Sequence, residues 1–103
     1  MRLRLMIIAA VIAVPGAAWA DGATISAGAR LAATCAACHG TDGATKDLAT
    51  LPRLAGQSQQ ALSAGLHAFK AGTRPATIMT QIAKGYTDEQ IELLAAYFAA
   101  QKK

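Results

Sequence analysis

Cys35-Ala36-Ala37-Cys38-His39 is the stretch that leaves this chain the fewest options. On a helix, residues three and four apart share a face, so Cys35 is presented toward both Cys38 and His39. Two thiols and an imidazole on one turn suit several uses. A thioredoxin-like dithiol normally sits beside a βαβ pattern, which is missing here. A closed zinc site needs a fourth ligand and usually a second paired motif. An ordinary buried pair of cysteines in a helix gives the neighbouring His39 no part. The remaining use is covalent haem: both thiols add to the vinyl groups as thioethers, and His39 comes under the ring to ligate iron. Cys-x-x-Cys-His is the c-type attachment spacing.

The N-terminus favours the same use. Arg2 and Arg4 give a basic start, Leu5 to Ala20 carries no charge, and the stretch closes in Ala18-Trp19-Ala20. Basic, apolar and small-x-small segments in that order make a secretory signal. A transmembrane anchor is the alternative, but 16 residues interrupted by Pro15-Gly16 fall short of the roughly 20 that span a bilayer. The expected organisation is therefore a signal peptide over residues 1–20 and one domain over 21–103, placed in the periplasm. Haem attachment of this kind belongs to that side of the bacterial inner membrane. Export also explains most of the charge. The 103 residues carry +4, but beyond Ala20 eight basic residues face six acidic ones. No basic run with interleaved aromatics remains there, so nucleic acid is not an expected partner. A multidomain enzyme is excluded by length.

Beyond Ala20 the chain holds fifteen Leu, Ile, Met and Phe residues, two Tyr, and neither Val nor Trp. Short chains with so thin a core usually need a staple or a cofactor to supply volume. Strand signals are nearly absent, while abundant alanine and the apolar spacing favour helix. The expected fold is all-α, with three main helices and a short one wrapped around one haem. The first helix runs over Ile25 to Ala37 with Thr24 or Ser26 as cap, and Gly40 to Gly56 forms a loop. Ser58 caps a second helix to Ala71, with Leu62, Leu66 and Phe69 on one face and Gly72 as its stop. A short helical turn spans Ile78 to Lys84. Thr87-Asp88-Glu89-Gln90 is a capping box opening the last helix, whose Ile91, Leu94, Ala95 and Phe98 repeat at i, i+3, i+4 and i+7.

The second axial position of the iron decides the chemistry. Met79 is the one methionine beyond the signal, and His67 the one other histidine. His67 stands about 140° round its helix from Leu62, off the apolar face, and is expected in solvent. Met79 follows the Thr73-Arg74-Pro75 turn, far enough from His39 to close around a haem edge. Core filler is the ordinary use of methionine, but as sole candidate Met79 is assigned as ligand. Nitrogen and sulfur together close both axial positions and favour Fe(II), which suits an electron carrier. A ligating histidine usually gives its other ring nitrogen to a carbonyl, and the Pro52 backbone oxygen is the candidate.

With these residues placed, Asp21 to Lys103 resembles a small class I c-type cytochrome. The resemblance is carried by Cys35-x-x-Cys38-His39-Gly40, Pro52-x-Leu54-Ala55-Gly56, the lone Met79 and a final amphipathic helix with Tyr97. It implies that the Pro52 carbonyl accepts the hydrogen bond of His39, and that the first and last helices cross at Gly28 and Tyr97. A narrower stretch, Thr77-Ile-Met-Thr-Gln-Ile-Ala-Lys-Gly-Tyr-Thr87, is similar to the cytochrome subunit of flavocytochrome c sulfide dehydrogenase. There an FAD-bearing subunit oxidises sulfide and the cytochrome removes the electrons. The resemblance implies a single-haem form of that subunit, with FAD on the partner and a further redox acceptor downstream.

Two alternatives stay open. One is a freely diffusing carrier without a permanent partner. The other is a haem protein with an open iron site that binds small molecules. Lys46, Arg53, Lys70, Arg74 and Lys84 could steer an acidic partner, although scattered cations are more often a solvated surface.

Overall fold

The computed structural model describes residues 25–103, so the expected signal segment lies outside the described residues. Five helices follow in order: α1 (Ala27–Ala32), α2 (Ala36–His39), α3 (Gln59–Ala71), α4 (Met79–Lys84) and α5 (Asp88–Ala99). Among the described residues there is no strand.

The first helix differs from the one expected over Ile25 to Ala37. Ser26 is its cap, accepting the Ala29 N–H at 3.1 Å, but α1 stops at Ala32. The chain then tightens into a 3₁₀ turn over Ala33–Cys35 before resuming as α2. Thr34 sits in that turn and donates its hydroxyl back to the Leu31 carbonyl at 3.0 Å. Such back-bonding competes with the regular ladder and bends helices. The helical path therefore reaches His39, where Gly40, at φ 81°, ends it. The loop beyond carries a second 3₁₀ turn, Thr41–Gly43.

The remaining elements lie where the sequence put them. Ser58 accepts the Ala61 N–H at 3.1 Å to open α3. Left-handed Gly72 closes α3, with the Thr73 N–H returning to the Ala68 carbonyl at 3.0 Å. The α5 capping box is complete: the Gln90 N–H reaches Thr87 Oγ1 at 3.1 Å, and the Thr87 N–H reaches Gln90 Oε1 at 2.9 Å.

Helix α5 is the centre of the packing, lying against α1 on one side and α3 on another, while α4 packs on α3. Its stripe of Ile91, Leu94, Ala95 and Phe98 is buried along its whole length. Ala32 from α1 and Leu62 from α3 join Leu94, Ala95 and Phe98 in one cluster. The α1–α5 crossing is close because Gly28 has no side chain. A Cβ there would lie 2.9 Å from the Leu93 carbonyl oxygen and 3.2 Å from Tyr97 Cβ. Gly28 and Tyr97 thus meet as the resemblance implied.

Candidate haem site

The site begins on α2. Cys35 ends the 3₁₀ turn, Cys38 and His39 end α2, and all three follow from one short helical path. Both cysteines are free thiols; Cys35 is half-buried and Cys38 exposed. Burial, before any other cause, pushes the Cys35 thiol above its ordinary pKa.

His39 points inward and is only 7% exposed. Its Nδ1 lies 2.8 Å from the Pro52 carbonyl oxygen. A carbonyl only accepts, so Nδ1 carries the proton and Nε2 is left with a bare lone pair. Among the described residues Nδ1 makes the one hydrogen bond of this ring. That is the tautomer of a metal ligand with its outer nitrogen fixed in place.

The loop delivers Pro52 by a short set of backbone bonds. The Gly43 carbonyl accepts from Leu54 N–H at 2.9 Å and from Ala55 N–H at 3.1 Å, while Gly56 N–H donates to the Phe98 carbonyl at 2.9 Å. Gly43 stands at φ +72°, and a Cβ there would meet Leu54 Cβ and the Phe98 ring, both at 2.8 Å. Only glycine fits that position. The turn after His39, the Pro52–Gly56 segment and the end of α5 are thereby drawn together, and the Pro52 carbonyl is held over the imidazole. Tyr97 on α5 adds a bond to Asp42 in the same turn.

Met79 stands apart from this cluster. It opens α4 and is half-buried. The link from its helix to the attachment turn runs through Tyr86, whose hydroxyl lies 3.0 Å from Thr34 Oγ1. Sequence reasoning missed this pair, since two hydroxyls 52 positions apart leave no periodic signal. His67 is not simply in solvent: Nε2 lies 3.0 Å from Glu92 Oε1 on α5. It braces α3 against α5 and is thereby engaged away from His39. Three of the five candidate steering cations are also engaged. Lys70 pairs with Asp88 at 2.9 Å, Arg74 lies 4.5 Å above the Phe69 ring centroid, and Arg53 donates to the Lys102 carbonyl at 3.2 Å. Lys46 and Lys84 are exposed.

The donor set fits a covalent haem better than a caged metal ion. Among the described residues no three His, Cys, Asp or Glu side chains converge as a metal cage would require. Two reduced thiols at helical spacing beside a bare, buried imidazole nitrogen are what thioether attachment and axial ligation need. Leu48, Ile78 and Ile82 are 69%, 59% and 37% exposed. They lie in the loop after His39 and beside or within α4, and large apolar groups at such exposure suit contact with a flat apolar ring.

Fold and donor set define a small all-helical haem protein of class I type. The chain belongs to the cytochrome c family, whose model matches residues 25–102. It is 42% identical over 80 residues to the cytochrome subunit of sulfide dehydrogenase from Chlorobaculum tepidum, covering 78% of this chain and 71% of that protein. It is 44% identical over 73 residues to cytochrome c-554(548) from Halomonas halodenitrificans, covering 67% and 86%. Against cytochrome c4 from Pseudomonas aeruginosa identity is 40% over 77 residues, which is 75% of this chain but 38% of that longer protein. The protein is an electron-transfer cytochrome with one covalent haem c.

Proposed function

We propose that this cytochrome works in the periplasm, exported by residues 1–20 and running as one domain over 21–103. In this reading it accepts single electrons from an FAD-containing sulfide dehydrogenase subunit and passes them to a downstream redox acceptor. Cys35 and Cys38 would anchor the haem, and His39 and Met79 would ligate its iron. The observation that carries the ligand assignment is the 2.8 Å bond from the buried His39 Nδ1 to the Pro52 carbonyl, which leaves Nε2 free to bind iron.

A haem held there supplies one-electron Fe(III)/Fe(II) exchange. The chain decides how that exchange is used. Pro52 fixes the His39 ring, so little rearrangement accompanies a change of charge. The soft Met79 sulfur favours the reduced form and raises the potential relative to a second nitrogen. With His39 and Met79 both holding the iron, Met79 would also keep oxygen and other small ligands off it, unlike a haem protein with an open binding site. Among the described residues no helix is long and apolar enough to cross a membrane.

The likeness to the cytochrome subunit of sulfide dehydrogenase supports the flavoprotein partner. The likeness to cytochrome c-554(548), 86% of whose length is covered, favours a second reading, a freely diffusing carrier. Affinity purification from the native periplasm separates them. An FAD-containing protein recovered at one-to-one stoichiometry, with sulfide bleaching the flavin and reducing the haem, supports the subunit. Recovery of the cytochrome alone from periplasm that contains the flavoprotein leaves the free carrier. Recovery only from the cytoplasm, with residues 1–20 still attached, refutes export.

A further inference from the structure

We propose that Tyr86 and Thr34 form a latch that positions the Met79 segment against the haem-attachment turn. This rests on reading Met79 as the second axial ligand. Thr34 precedes Cys35 directly, and its single hydroxyl proton goes to the Leu31 carbonyl at 3.0 Å. The Tyr86 hydroxyl lies 3.0 Å from the same oxygen. Tyr86 is therefore the donor and Thr34 the acceptor. The two bonds form a chain running from the turn after α4 into the bend that presents Cys35.

Helix α4 needs such a tether. It has six residues, too few to persist on its own hydrogen bonds. Its far end is well held. Ala83 is fully buried, the Tyr86 N–H donates to the Ala83 carbonyl at 3.2 Å, and Tyr86 packs partly buried against the core. Its near end is not. The cap position, Ile78, supplies no side-chain bond and is 59% exposed. Among the described residues, no other side-chain hydrogen bond ties residues 79–86 to another part of the chain. Loss of the latch leaves Met79 on a helix held by the apolar packing of Ala83, the ring at position 86 and α3, so the segment swings away more often.

Opening of that segment is read by the rate at which potassium cyanide binds the ferric, haem-loaded protein, because cyanide enters only when the sulfur has left. Tyr86→Phe and Thr34→Val are each expected to speed cyanide association roughly five-fold, the factor that one net hydrogen bond supplies. Thr34→Ser keeps the hydroxyl and is expected to retain the parent rate. The double variant Tyr86→Phe/Thr34→Val is expected to be no faster than Thr34→Val alone, since that change already removes the bond that Tyr86→Phe removes. An unchanged rate in Tyr86→Phe, or effects that multiply in the double variant, overturns the latch. Met79→Ala is the reference. If it binds cyanide fast while Tyr86→Phe matches the parent, the latch alone fails. If Met79→Ala is no faster than the parent, the axial assignment fails and the latch with it.

Discussion

A histidine buried to 7% exposure has few stable ways to satisfy two ring nitrogens. His39 gives one to a backbone carbonyl, which no side-chain substitution removes, and keeps the other as a lone pair. The weaker point of the proposed ligand pair is Met79, at the open end of a short helix. Met79→Ala is therefore expected to leave haem attachment intact, because the thiols on α2 are untouched, while opening one face of the iron. The reduced parent should resist carbon monoxide, and the variant should bind it, shifting the Soret band within the mixing time. The reduction potential of the variant should also fall, since water or a nitrogen replaces a soft sulfur. A parent that binds carbon monoxide as readily as the variant would return the open-site reading to first place.

At the scale of elements, α5 organises the rest. Its start is fixed by two reciprocal hydrogen bonds between Thr87 and Gln90, with Asp88 and Glu89 in the positive first turn. Thr87→Ala removes one of those bonds and is expected to cost about 1 kcal/mol, seen as a lower urea midpoint at unchanged slope. The α5 stripe and its cap were legible in the sequence because both are local: a 3.6-residue period and a four-residue box. Ser58 and Gly72 marked the ends of α3 for the same reason. The break in the first helix was not legible. Whether Ala33–Cys35 takes i+3 or i+4 bonds depends on the Thr34 hydroxyl, which donates to the Leu31 carbonyl while its oxygen accepts from Tyr86, 52 positions away. His67 shows the same limit. Its position off the apolar face was readable from helical angles, but its partner Glu92 sits on another helix. In the site, the thiols, His39 and Pro52 were readable from motif and resemblance, whereas the backbone bonds through Gly43 that deliver Pro52 leave no trace in residue type.

The molecule as a whole is held by two unlike systems, a polar seam and a thin core. The seam joins α3 to α5. Lys70 hydrogen-bonds to Asp88 and lowers its pKa, and Ser63 and then His67 do the same for Glu92. Carboxyls lowered on folding bind protons less well than in the unfolded chain. Their contribution is full above the ordinary carboxylate range, about pH 4, and fades as pH falls through the lower folded values. The melting temperature should thus decline below about pH 4, and Asp88→Asn/Glu92→Gln should flatten that decline. Both groups lie at the surface, Asp88 76% and Glu92 51% exposed, so the seam is a modest contributor. The core must carry the fold, yet among the described residues four of the eight buried hydrophobics, Ala32, Ala55, Ala83 and Ala95, are alanines. Among the described residues only Leu62, Ile91, Leu94 and Phe98 bring large side chains inside. A chain this short with so few large side chains inside usually needs a cofactor to complete its core. Apolar contact with the haem faces would add to that burial. Cys35→Ser/Cys38→Ser, which prevents attachment while changing little volume, is accordingly expected to lose most of its far-ultraviolet helical signal at 25 °C. The haem-loaded parent should instead melt in one cooperative transition. A double variant that stays helical and melts like the parent would mean that the polypeptide packs well enough alone, and that the porphyrin is cargo, not core.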